Sequence, residues 1–121
     1  MAATRTVKMQ GTFEVINAAN VSETKKTTQD SKDVTEVTTT SPQVIAGLQT
    51  NVPLPMGGVT LAKRVFLRTD QEVTLKIGVS TDAGFKFGPG DGQWSSTSGI
   101  PGIFITTGPN ATSVESVIAG D

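Results

Sequence analysis

The stretch Glu72-Val73-Thr74-Leu75-Lys76-Ile77-Gly78-Val79-Ser80 sets Val73, Leu75, Ile77 and Val79 at every second position, with Glu72, Thr74, Lys76 and Ser80 among them. Successive side chains of a strand point to opposite faces, so this stretch predicts a strand with one side in a core and the other in water. A helix would space its apolar residues three and four apart. The rest of the chain repeats this theme and adds little chemistry to it.

Working toward the C-terminus, Thr81-Asp82-Ala83-Gly84 is a turn and Phe85-Lys86-Phe87 resumes the alternation. Gly88-Pro89-Gly90-Asp91-Gly92 is a tight reversal, rich in residues that accept positive φ. Trp94 follows, then a loop over Thr97-Ser98-Gly99-Ile100-Pro101-Gly102, the apolar run Ile103-Phe104-Ile105, a turn at Thr107-Gly108-Pro109-Asn110, and a last strand holding Val114, Val117 and Ile118. Turn signals every 8–12 residues with short runs between them predict a sandwich or small barrel.

Toward the N-terminus, Thr69-Asp70-Gln71 reads as the turn of a hairpin whose first strand holds Val59, Leu61, Val65 and Leu67 on one face. Lys63 interrupts that face and Phe66 sits on the polar one, and a bulge near Lys63 explains both. Pro53 and Pro55 deny backbone donors, so residues 51–58 read as an extended, unpaired connector. Residues 17–43 are dominated by Thr, Ser, Asn, Lys and Asp, with Val21, Val34 and Val37 as their only apolar anchors, and Thr38-Thr39-Thr40 disfavours a helix. They read either as a long loop or edge strand, or as an arm that orders on a neighbouring subunit. Residues 4–16 alternate again, as a strand pair or as one strand bulged at Gly11.

The expected fold is therefore all-β: a single antiparallel β-sandwich or small barrel, jelly-roll or immunoglobulin-like, with an extended N-terminal arm or long loop. One domain spans 1–121, its best-defined β core is 59–121, and 17–43 is a Thr-rich arm or loop within it.

With 121 residues the chain can bury a real core. Its formal charge of -1 offers no basic field for nucleic acid or an acidic membrane. His and Cys are both at zero, which removes imidazole and thiol nucleophiles, His- or Cys-bound metals and disulfides. No apolar run approaches a membrane span, and none follows Met1-Ala2-Ala3-Thr4-Arg5 as a secretory signal would require. The sequons at Asn20 and Asn110 then read as chance. Asp30, Asp33, Asp82 and Asp91 are the carboxylates to weigh for acid–base chemistry, and Asp82 and Asp91 for calcium, but no acidic cluster or predicted cleft surrounds them. Gly88–Gly92 lacks the strand–loop–helix setting and the Lys-Ser/Thr ending of a phosphate loop. Lys63, Arg64 and Arg68, with Lys25 and Lys26 elsewhere, are too few for a nucleic-acid surface and read as a solvated face or a subunit salt bridge. No enzyme activity, cofactor or metal is expected.

An assembly or binding role remains. Trp94 is either part of the sandwich edge or an interface anchor. Among Ile103, Phe104 and Ile105 at least one side chain must point away from the core and need cover. The candidate interface residues are Val34, Val37, Pro53, Pro55, Trp94, Ile103, Phe104 and Ile105.

The run Val65-Phe66-Leu67-Arg68-Thr69-Asp70-Gln71-Glu72-Val73-Thr74-Leu75-Lys76-Ile77, the Gly-Pro-Gly-Asp-Gly turn, Gly102-Ile103-Phe104-Ile105-Thr106-Thr107 and the closing Ser113-Val114-Glu115-Ser116-Val117-Ile118-Ala119-Gly120 resemble, in style and over residues 59–121, the small β-sandwich virion proteins of tailed bacteriophages. The resemblance implies a structural virion protein that binds and stabilises the assembled particle as a capsid decoration or cement protein. The alternative is a tail, neck or tail-fibre subunit with an assembly or receptor- and carbohydrate-binding role. A tail-tube or connector subunit would form rings through inter-subunit sheets. The implied partners are other copies of the chain, in a homo-oligomer such as a trimer, and virion proteins such as the major capsid protein. The implied location is the virion, assembled in the host bacterial cytoplasm.

Overall fold

The computed structural model describes residues 4–121, apart from the side chains of Phe13 and Ser41. Among them are ten strands and no helix: β1 (Arg5–Ile16), β2 (Ser22–Val34), β3 (Glu36–Ile45), β4 (Val52–Pro53), β5 (Ala62–Thr69), β6 (Val73–Ile77), β7 (Phe85–Phe87), β8 (Gly90–Ile100), β9 (Ile103–Thr107) and β10 (Thr112–Gly120). β1 and β2 form a two-stranded hairpin, while the other eight make two four-stranded sheets ordered β3-β10-β5-β8 and β4-β9-β6-β7. All pairings are antiparallel.

The pairing of the eight strands is concentric. The first pairs with the last (β3 with β10), then β4 with β9, β5 with β8 and β6 with β7. One long two-stranded ribbon has been rolled up, and β10–β5 and β6–β9 contacts close the roll into two facing sheets. That is a jelly roll, and the order excludes the immunoglobulin-like alternative. Its core is one cluster with members from both sheets, including Val65, Leu67, Val114 and Ile118 from one and Val73, Leu75, Ile103 and Ile105 from the other. Lys63 is skipped in both ladders of β5, which run Ala62 then Arg64 against β8 and against β10. This is the expected bulge. It returns Val65 and Leu67 to the core and leaves Phe66 on the outer face.

Several local expectations give way to this closure. β5 and β6 are not a hairpin: Thr69-Asp70-Gln71 carries the chain from one sheet to the other, so β5 pairs with β10 and β8. The Gly88–Gly92 reversal likewise crosses between sheets, from β7 to β8. Residues 97–100 belong to β8 rather than to a loop. Val52 and Pro53 are paired, opposite Ile105 and Phe104. Pro53 is tolerated there because β4 is an edge strand. Leu61 is exposed and Ala62 takes the core position. Val79 is also exposed, because the strand ends at Ile77 and Gly78 (φ 120°) turns the chain, its N–H donating to Gly102 O at 2.8 Å. No bulge falls at Gly11, which pairs with Thr28 in unbroken register, and the irregularity lies at Val15/Ile16.

Residues 17–43 hold a turn, β2 and most of β3. β2 pairs with β1 alone, and β3 is the edge strand beside β10.

Candidate interaction surface

The hairpin is the part of the molecule that packing does not explain. A strand of 12 residues such as β1 is about 40 Å long. Arg5 pairs with Val34 at its base and Val15 with Thr24 near its end. Only the base meets the jelly roll. Val34 is buried, and Arg64 Nε on β5 stands 2.5 Å from Asp30 Oδ2 on β2. Val7 and Met9, two apart and so on one face of β1, look onto the outer face of the β5–β10 sheet. Between them and Phe66, Gln93 and Val117 lies a cleft of about 250 Å³, with Lys8 and Arg64 in its wall.

The far end of the hairpin is built and apolar. Asn17 N donates to Val21 O at 3.0 Å, and Asn20 N to Asn17 O at 2.9 Å. Asn17 Oδ1 accepts from Ala19 N and Val21 N at 2.9 and 3.1 Å. Asn is suited to this turn, since its short amide closes a backbone loop and Asn20 accepts its φ of 64°. Ser22 Oγ donates to Glu14 Oε2 across the hairpin at 3.1 Å. With its polar groups so engaged, the turn presents Val15, Ile16 and Val21 to solvent, 40%, 52% and 56% exposed.

The candidate interface residues separate into three groups. Val34, Ile103 and Ile105 are buried inside the chain, so their side chains cannot meet a partner. The expectation for them is corrected by the packing: Val34 sits where hairpin and sandwich join, and Ile103 and Ile105 face inward on β9. Trp94, Val37 and Phe104 are half-buried. Trp94 packs on the core and on Phe87, with ring centroids 5.3 Å apart and planes at 55°. Phe104 is the outward member of its run, opposite Pro53 and Lys76. Pro53 and Pro55 are exposed. The structure does not gather these residues into one patch. Val15, Ile16 and Val21 were missed, although two adjacent apolar residues before an Asn-bounded turn are a legible sign that one of them faces outward.

The carboxylates are engaged in structural contacts. Asp82 accepts from Val79 N at 3.1 Å, Asp33 from Thr6 Oγ1 at 2.9 Å, and Asp30 holds Arg64. Arg68 lies over the Phe66 ring and forks onto Asp91, with Nε–Oδ1 at 2.6 Å and Nη2–Oδ2 at 3.1 Å, and reaches Glu115 at 3.3 Å. The hydrogen bond from Arg68 holds the Asp91 carboxyl below its ordinary range and, in return, raises the guanidinium. Lys63 Nζ donates to Thr97 O at 2.9 Å. Two of the three cations of the basic spot on β5, Arg64 and Arg68, are thus ion-paired within the chain. Among the described residues no group of three or more acidic side chains gathers as a metal site would need. A second cleft of about 360 Å³ lies on the outer face of the β6–β9 pair, where Lys86 Nζ donates to Thr74 Oγ1 at 3.2 Å.

No family model matches this chain, and neither the curated proteins nor the solved structures yield a match.

Proposed function

We propose that the protein is a structural component of a tailed-phage particle, binding and stabilising the assembled virion as a decoration or cement subunit. One observation carries this reading: a closed eight-stranded jelly roll extends a two-stranded arm whose far end is apolar and exposed. Jelly rolls are recurrent in capsid proteins, though a fold by itself does not give a function. The arm supplies the second element, since a lone two-stranded hairpin is marginal in water and gains its order from what it touches. A subunit that binds only the assembled lattice stabilises it by its binding free energy, repeated over every copy. Peptides of this chain should be recovered in stoichiometric amount from gradient-purified particles made by the genome that encodes it. Their absence from intact particles overturns the proposal.

A second reading, a receptor- or sugar-binding subunit of the tail, rests on the Phe87–Trp94 pair, with Phe85 two residues along β7 and 43% exposed. Titration of Trp94 fluorescence with oligosaccharides decides it, for a stacked sugar would shift the emission and an unoccupied pair would not.

A further inference from the structure

The arm's apolar end and the cleft under the arm's base are both apolar, and they lie at opposite ends of the hairpin. We infer that the tip of one copy, with Val15, Ile16 and Val21, inserts into the cleft beneath the hairpin base of a second copy. The inference deepens the structural-subunit reading by naming the partner surface of the arm.

Three observations support a second copy as the occupant. The tip cannot reach the cleft of its own chain, because β1 and β2 hold it away from Val7 and Met9 through a continuous ladder. The cleft is lined by apolar side chains, among them Val7, Met9, Phe66 and Val117, and the tip offers apolar side chains of matching chemistry. The charges also correspond. Glu14 and Glu23 are the only charged residues between 14 and 23; Glu14 accepts from Ser22 Oγ, while Glu23 has no partner opposite it in the ladder and makes no ion pair among the described residues. At the cleft Arg64 is bound by Asp30, while Lys8 stands opposite Ser31 and makes no ion pair among the described residues. Lys8 of one copy is thus matched to Glu23 of the next.

Tip and cleft are different surfaces, so two copies either exchange tips reciprocally across a two-fold axis or pass them head to tail into rings or filaments.

Sedimentation velocity of the full chain over a range of concentrations tests this, with circular dichroism as the check on folding. The wild type should form a dimer, a discrete ring or a larger species. I16S/V21S should be monomeric, and E23K and K8E should each weaken association by roughly tenfold. The charge-exchanged double variant E23K/K8E should recover wild-type association. All four changes are at exposed or half-exposed positions. A wild type that stays monomeric, a two-fold dimer indifferent to the tip, or a double variant no better than its singles overturns the inference. The virion reading is judged separately by the particle measurement, so either can fail alone.

Discussion

β2 and β10 are both antiparallel strands with Thr and Ser among their residues, and they end in opposite circumstances. In β10 every second residue from Thr112 to Ile118 is buried, and Ala119 and Gly120 are buried too. In β2 only Val34 is buried, and eleven of its thirteen residues are exposed. Part of the difference is composition: β2 carries Lys, Asp and Glu, which strands disfavour, with Val34 as its one apolar residue, whereas β10 holds Val114, Val117, Ile118 and Ala119. The rest lies in the second layer. β10 sits between β3 and β5 and faces another sheet, so each inward side chain leaves water on folding. Among the described residues β2 has one neighbouring strand, β1, and only Val34 at its base is buried. The jelly roll is held by its own core, whereas the hairpin is held at one end and exposes Val15, Ile16 and Val21 at the other.

The sharpest way to break the jelly-roll half is a cavity. Leu75→Ala at a fully buried position between the sheets should cost about 2 to 5 kcal/mol in urea unfolding. A loss near zero would mean that the sheets are not closely packed. The next effect tests how the edge strand is tied on. Thr107 Oγ1 donates to Ala46 O at 2.8 Å and accepts from Gln49 N at 2.9 Å, pinning the chain between β3 and β4. Thr107→Val removes both bonds and should cost about 1 to 3 kcal/mol, since the partners are left partly buried and unpaired.

The hairpin answers to smaller forces. Asp30→Asn removes the pair with Arg64, whose side chain is 12% exposed against 46% for Asp30. With half of the pair in solvent, the loss should be on the order of 1 kcal/mol. It should appear as faster amide exchange in β1 and β2 while the urea midpoint of the jelly roll barely moves. Slower or unchanged hairpin exchange would show that the pair does not hold the base.

The smallest effect is electrostatic and at the surface. Asp91 is held below its ordinary value of 3.8, chiefly by the hydrogen bond from Arg68. A carboxyl depressed in the folded state binds fewer protons there than in the unfolded chain, so its stabilisation is present above the ordinary value and lost as pH falls through the depressed one. In low salt the wild type should lose a small increment of stability over that acid window, and Asp91→Asn should lack it. Salt should erase the difference.

Alternation was legible wherever a strand has one buried face, which is why Val73, Leu75, Ile103 and Ile105 could be assigned to strands. The Lys63 bulge was legible as well, from a charge on an apolar face and an aromatic on a polar one. Pairing partners were not. A local turn such as Thr69-Asp70-Gln71 looks the same whether it returns a strand to its neighbour or sends it to the opposite sheet, and global closure decides between them. The site was half legible for the same reason: the run at 103–105 announced one outward side chain, Phe104, but which of residues 17–43 would find a second layer depends on contacts distant in sequence. β3 found β10, and β2 found only β1.

Segment-resolved hydrogen exchange by mass spectrometry, run on the full chain at low and at high concentration, tests the contrast between arm and jelly roll most directly. The account predicts that amides of residues 11–28 exchange roughly a hundredfold or more faster than those of β5 and β10 in dilute solution, as local opening requires, and that they gain protection, together with the cleft-lining residues 7–9, as concentration rises. A hairpin as protected as the jelly roll when dilute, or one that gains nothing on concentration, would contradict it.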